Sequence, residues 1–284
     1  MTVLVITDSS ACLPTDLREQ CGIREVPLHI LVDGTDLRDG VDQVPDDIYQ
    51  RERVSTAGAT PAELLTAYRE ALADSAGDGV VAVHISSALS GTFCTAEQVA
   101  AEVGSGVRVV DSRSTAMGTG FVALAAARAA AGGASLDDVV AAADSAVCRS
   151  HAYIVVRRLD NLRRSGRIGS AAAWLGTALS LKPLLCVDDG KLVLAQRIRT
   201  ASRATATMID RVCEVIGDRS AAVAVHHVAN PDGADAVAAE LAERLPACEP
   251  AIVTGLGAAL ALHVGAGAIA VCVQVGEGAN ATPT

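Results

Sequence analysis

The sequence predicts an α/β protein of two domains: an N-terminal parallel sheet with flanking helices (residues 1–150) and a C-terminal mixed α/β domain containing an antiparallel hairpin (residues 151–284). Length is the first observation behind this, since 284 residues is about twice the roughly 150 usual for one domain. The second is the regular alternation of short apolar runs and helical patterns in the first half. The third is a hairpin turn signal, Asp188-Asp189-Gly190-Lys191, between two apolar runs in the second half.

In the first half, strands are expected at 3–7, 24–32, 80–85 and 107–111, and helices at 14–20, 61–74, 91–103 and 118–131. Strand and helix in strict alternation imply a parallel sheet covered on both faces. Thr60, Pro61 and Glu63 spell a helix start, with an N-cap, a proline at the first helical position and the acid of a capping box. Ser135 with Asp138 opens a further helix ending near Cys148, after which a domain boundary is expected. In the second half, 184–187 and 192–199 flank the turn as an antiparallel pair. Helix 201–216, strand 221–228, helix 232–244, strand 251–254, helix 258–263 and strand 268–275 follow.

Composition narrows the function classes. Half the residues are apolar and 20% are charged, which excludes disorder as the main state. A formal charge of -10 repels phosphate backbones, and six aromatic residues offer few stacking platforms, so no nucleic-acid partner is expected. The eight cysteines are scattered with no C-x-x-C and read as reduced core thiols, not as metal ligands or disulfides. Residues 251–276 carry no Asp, Glu, Lys or Arg and are long enough to cross a bilayer, yet Gly255, Gly257, Gly265 and Gly267 break them into strand, helix and strand. A buried core is expected there, with no stable membrane insertion. Met1 to Asp8 lacks the pattern of a signal peptide, so the chain is expected to be cytoplasmic.

No Walker loop, H-E-x-x-H or G-x-S-x-G occurs. The partial dinucleotide fingerprints at Gly118–Ala123 and Gly265–Ala270 lack the strand and ribose-binding acid that would complete them and read as tight backbone turns. His226 and His227 are adjacent on a strand and point opposite ways, against joint metal binding. No cofactor, metal or catalytic residue is expected. The informative segment is Val80 to Thr92, a buried strand entering a helix through Ser86, Ser87, Ser90 and Thr92. It reads equally as an anion site at a helix N-terminus or as ordinary capping. A second hydroxyl-rich loop, Val54 to Pro61, offers Thr56 as a further donor.

These blocks together resemble the DegV proteins, bacterial fatty-acid-binding proteins. The resemblance runs through Thr7-Asp8-Ser9-Ser10, the Thr56 loop with Pro61 and Glu63, Ile85 to Thr92, Asp111-Ser112 with Met117 to Gly120, Leu162 to Ile168, Arg197-Ile198-Arg199 and His263 to Gly267. Ser165, Ala57-Gly58, Val264 and Ala266 depart from the usual pattern and bear on ligand preference. The resemblance implies one long-chain fatty acid in an apolar tunnel, with its carboxylate on Thr56, Ser90, the Gly91 amide and His263. It also implies a partner kinase that phosphorylates the presented carboxylate, with Arg167 and Arg199 as contacts for the kinase or the acyl phosphate. About fourteen buried methylenes would contribute roughly 11 kcal/mol before ordering costs, and the carboxylate must be given hydrogen bonds on leaving water. The rival reading is an enzyme subunit similar to dihydroxyacetone kinases, with His263 or His84 as the reactive group. A regulatory sensor of acyl chains is a third.

Overall fold

The computed structural model describes residues 2–45, 48, 51, 53–168 and 182–276. The chain divides into two compact units, one of Met1–Cys148 with Asp189–Lys191 and Leu256–His263, the other of Arg149–Asp188, Leu192–Gly255 and Val264–Thr284.

The first unit is built on a parallel sheet of β1 (Leu4–Asp8), β2 (Arg24–Val26), β6 (Val80–His84) and β7 (Val107–Asp111), in the order β2-β1-β6-β7. The short α1 (Thr15–Gln20) lies between β1 and β2 in the chain. All five residues of β6 are buried, as a central strand with helices on both faces requires. On one face Ile6, Val80 and Ala82 pack with Leu64, Tyr68 and Ala71 of α2 (Pro61–Asp74) and with Ala96, Val99 and Ala100 of α3 (Thr92–Val103). The other face meets α4 (Met117–Ala131) and α5 (Leu136–Val147). The predicted capping box closes both ways, Glu63 N donating to Thr60 Oγ1 (3.3 Å) and Thr60 N to Glu63 Oε2 (3.0 Å). The parallel sheet and its helices are as the sequence predicts.

A small antiparallel sheet accompanies it, made of β3 (His29–Val32), β4 (Thr35–Arg38) and β5 (Val54–Ala57) in the order β4-β3-β5. The single strand expected over 24–32 is therefore two, broken at Pro27-Leu28 because proline has no N–H to give the ladder. The hydroxyl-rich segment expected to be a loop is partly strand β5. Asp33 and Gly34 turn β3 into β4 with positive φ of 51° and 81°, the geometry of a two-residue hairpin.

The second unit holds a six-stranded mixed sheet. Its strands are β8 (Ser150–Val155), β9 (Lys182–Asp188), β10 (Lys191–Ile198), β11 (Ala221–His227), β12 (Ile252–Gly255) and β13 (Ile269–Val275), in the order β10-β9-β8-β13-β11-β12. β13 runs antiparallel to β8 and β11, and β12 is parallel to β11. The predicted hairpin joins β9 and β10 through Asp189 and Gly190, at φ of 46° and 74°. Met208, Ile209, Val212 and Ile216 of α7 (Ala201–Ile216) and Val237 and Leu241 of α8 (Pro231–Arg244) pack with Val271, Val273 and Val275 in one core. The charge-free stretch becomes β12, α9 (Ala258–Val264) and β13, and no helix among the described residues is long and apolar enough to cross a membrane.

Two smaller expectations are corrected. Gly265 and Gly267 do make turns, each at φ 81°, but Gly118 and Gly120 lie inside α4. There an added Cβ on Gly120 would come within 3.0 Å of the Ala11 carbonyl oxygen, so close helix packing accounts for that glycine. The cysteines are free, but only Cys272 is buried, while Cys94 and Cys148 are exposed. Apolar neighbours in sequence do not bury a residue on the outer face of its helix.

Candidate functional site

β5 places Thr56 opposite Ile30 of β3. α9 contributes Ala258, Ala259 and Leu262 to an apolar cluster with Leu28, Ile30, Val32, Leu37, Ile48 and Val54. Packing one short helix there brings its last turn to Thr56, and Thr56 Oγ1 lies 2.8 Å from His263 Nε2. Both side chains are half-buried.

The chain leaving Thr56 then passes the first turn of α3. An ideal Cβ on Gly58 would stand 2.6 Å from Thr92 Oγ1 and 3.3 Å from Thr92 N, so only glycine permits this approach. Thr92 Oγ1 in turn lies 2.9 Å from Ser90 Oγ, which also accepts from Thr92 N at 3.2 Å. Gly91 is the exposed N-cap residue of α3, at φ -72° with no side-chain cap, and nothing lies within 4 Å of where its Cβ would be. The backbone there is open to a ligand. The structure thus pairs Thr56 with His263 and, two residues along the chain, sets Gly58 against Thr92 of the turn that carries Ser90 and Gly91: hydroxyls, an imidazole and a helix N-terminus. Hydroxyls and backbone amides at a helix N-terminus can hold a carboxylate without a counter-charge.

Arg167 and Arg199 belong to the second unit. Arg167 is half-buried after α6 (Asp160–Arg164) and donates to the Ser165 carbonyl at 2.5 Å. Arg199 is exposed one residue past β10, with exposed Arg197 before the buried Ile198, so the two arginines share the outward face as the alternation predicts. His226 is buried and His227 half-buried, pointing apart as expected.

Behind the cluster lie buried groups whose partnerships no local motif announces. At the carboxyl ends of β1 and β6, Asp8, His84 and Tyr68 form a chain in which all three are fully buried. His84 Nδ1 is 2.9 Å from Asp8 Oδ2, and Nε2 is 2.7 Å from the Tyr68 hydroxyl. Burial, and then the Asp8 charge, push the phenol well above its ordinary pKa and keep it protonated. With both ring nitrogens engaged and no exposed surface, His84 is not placed to hold a substrate. Asp39, 3% exposed, accepts from Ser9 Oγ at 3.0 Å and from Ala259 N at 3.3 Å. His29 is clamped between Asp36 and Glu63 at 2.8 Å from each, tying the Thr56 sheet to the start of α2. Burial lowers its pKa, but the two carboxylate hydrogen bonds outweigh this and raise it. A cavity of about 640 Å³ opens by the β3–β4 turn, with Leu31, Asp33, Gly34, Arg53, Val54 and Ser55 around it. A carboxylate and a guanidinium on its wall suit polar groups better than an alkyl chain.

A family model described as uncharacterised protein, DegV family, matches residues 2–275. The chain belongs to the DegV family. A DegV domain-containing protein of Mycobacterium tuberculosis is 71% identical over 276 residues, 97% of this chain and 98% of the relative. One from Streptomyces coelicolor is 38% identical, covering 96% and 98%. Among solved structures, a DegV family protein from Thermus thermophilus described for its fatty acid binding superposes with a TM-score of 0.90 at 34% identity, over 97% of this chain and all of the other. DegV of Bacillus subtilis, a fatty acid binding protein, gives 0.87 at 29% identity, over 97% of this chain and again all of the other. The DegV fold is thus shared along nearly the whole chain.

Proposed function

We propose that this chain binds one long-chain fatty acid, with the carboxylate on Thr56, Ser90, the Gly91 amide and His263 and the alkyl chain in an apolar tunnel. The observation that carries the reading is the Thr56–His263 pair between β5 and α9, with Gly58 beside it packed against the Ser90–Thr92 turn before α3. The fatty-acid binding of the Thermus thermophilus and Bacillus subtilis proteins supports it. The Thr56 hydroxyl and the His263 ring pair with each other; a carboxylate placed there would take hydrogen bonds from both. Such bonds to a charged group contribute about 1.5–3 kcal/mol each.

Organic extraction of the purified protein followed by mass spectrometry tests this directly, a stoichiometric fatty acid being expected. Its consistent absence, together with measurable binding of a triose, would transfer the reading to the kinase-like sugar site. Thr56→Ala and Ser90→Ala should each weaken palmitate binding about tenfold or more, the equivalent of losing one such bond, with unfolding midpoints little changed. Unaltered affinity in both variants counts against this carboxylate site.

The carrier reading extends to a partner kinase that phosphorylates the presented carboxylate, so the chain itself performs no chemistry. Arg199 and Arg167 serve as contacts for that kinase or for the acyl phosphate, guanidinium groups being suited to bidentate phosphate recognition. Arg199→Ala should spare lipid affinity and slow acyl phosphorylation by the kinase. Equal loss of both in a direct assay contradicts the division of labour.

A further inference from the structure

α9 has seven residues, too few to be stable as a helix by itself, so its position depends on what anchors it. Its apolar side packs on the small sheet, but apolar packing is non-directional and resists sliding and rotation weakly. At the N-terminal end of the helix the directional anchor is Asp39. This carboxylate is buried beside the first turn, where Oδ1 accepts from Ala259 N at 3.3 Å and Gly257 passes so close that an added Cβ would stand 3.0 Å from Oδ2. A negative group at a helix N-terminus is favoured by the unpaired amides there.

Asp39 is itself fixed from behind. Ser9 Oγ donates to Asp39 Oδ2 at 3.0 Å and accepts from Leu28 N at 3.0 Å, while Asp39 N donates to the Leu28 carbonyl at 2.8 Å. Ser9 sits in the turn immediately after Asp8, which that aspartate caps by accepting from Ser10 N. Burial pushes the Asp39 carboxyl up in pKa, and the bonds from Ser9, Ala259 and Ala258 act against that. A buried acid so placed costs stability, as buried charges do, and its geometry gives it a task. Ala259 and His263 are four residues apart, about one helical turn, so holding the amide of one sets the height and rotation of the other.

We propose that Asp39 is the positioning residue for His263: the Ser9–Asp39–Ala259 relay holds α9 by its N-terminus so that the imidazole Nε2 stands at Thr56, ready for the ligand carboxylate. This rests on the fatty-acid reading for its purpose but not for its geometry. Asp39→Asn keeps one acceptor oxygen and turns the other into an NH₂ group that cannot accept, so the Ser9–Asp39–Ala259 relay loses one of its two bonds and α9 should loosen while the side-chain volume is kept.

The test is a double-mutant cycle on the full chain, with palmitate as the probe. Asp39→Asn should weaken palmitate binding about tenfold in the native background and less than twofold when His263→Ala is already present, because the residue then has no imidazole to place. Equal losses in both backgrounds overturn the proposal, since a general loosening of the fold does not depend on His263. Ser9→Ala leaves the carboxylate in place and should give a smaller loss with the same dependence on His263, which keeps the test decisive where Asp39→Asn fails to fold. A ligand-free readout separates this proposal from the functional one: the His263 ring ¹⁵N shifts and amide exchange over α9 should change in Asp39→Asn and in Ser9→Ala. If the native protein binds no palmitate, the fatty-acid reading falls while these signals still decide the positioning role. If the signals stay unmoved, the positioning role falls whatever the lipid affinity.

Discussion

Asp8→Ala is expected to remove about 4 kcal/mol of folding stability, the sum of a few buried donors each left unpaired at about 1–3 kcal/mol. The carboxylate is fully buried, and each of its oxygens receives two donors. Oδ1 takes Ser10 N at 3.0 Å and the Ser10 hydroxyl; Oδ2 takes Ile85 N at 3.0 Å and His84 Nδ1 at 2.9 Å. Two strand ends and the turn after β1 therefore meet at one side chain. Asp8→Asn keeps one acceptor oxygen and should lose roughly half as much. Tyr68→Phe removes only the outer link and should cost about 1–2 kcal/mol. Urea unfolding of the three variants gives the ranking, and a loss below about 1 kcal/mol for Asp8→Ala would mean that water reaches the vacated donors. Because Ile85 leads into Ser86–Ser90 and Ser9 reaches Asp39, the same side chain supports both arms of the candidate carboxylate site.

The parallel sheet is legible in the sequence because β1, β6 and β7 are Val-rich apolar runs and because Thr60-Pro61 and Ser135 mark helix starts with specific chemistry. β4 and β5 are not legible, being four residues each and rich in Thr, Asp and Ser, with their pairing set by β3 and not by their own pattern. β8 opens on Ser150-His151-Ala152, which leaves only Tyr153 to Val155 as a strand signal, and α6 is one turn of Asp-Asn-Leu-Arg-Arg with no apolar period, so both are too short to stand out. Thr56 and Ser90 are signalled by hydroxyl-rich turns before helices, and His263 by its glycine-flanked block. Asp39 offers no such handle. It is followed by Gly40 in a polar stretch, and what distinguishes it is a bond to an amide 220 residues away. Likewise Asp8 belongs to a recognisable block, but that it holds His84 emerges only when β1 and β6 are paired. Long-range pairing of single polar residues leaves no local signature.

Between pH 7.5 and pH 5 the native chain is expected to lose about 2 kcal/mol of stability through His226, and His226→Gln to lose correspondingly less. The strand pairs this residue with Thr254 of β12 on one side and Ala270 of β13 on the other, and its ring stands on a face of the sheet with no exposed surface. Burial lowers its pKa to about 4; a hydrogen bond with the Thr254 backbone acts against this, and the neighbouring His227 adds slightly to the lowering. In the unfolded chain the group titrates near 6.5, so the unfolded state takes up the proton first. The stabilisation is complete above about pH 6.5 and drains as pH falls towards 4. The loss reaches about 3 kcal/mol there, because each pH step between the unfolded and folded pKa values is worth about 1.4 kcal/mol. His151, lowered by burial and by Arg219, has the same sign. His29 has the opposite sign: its raised pKa gives stability that is full below about 6.5 and lost as pH rises through the folded value. The two signs can mask each other in the native protein, which is why the variant is needed. Urea unfolding of both proteins at the two pH values, followed by circular dichroism, isolates the His226 contribution. Parallel losses in native and variant chains would place the acid sensitivity elsewhere and show that protonated His226 is accommodated inside the sheet.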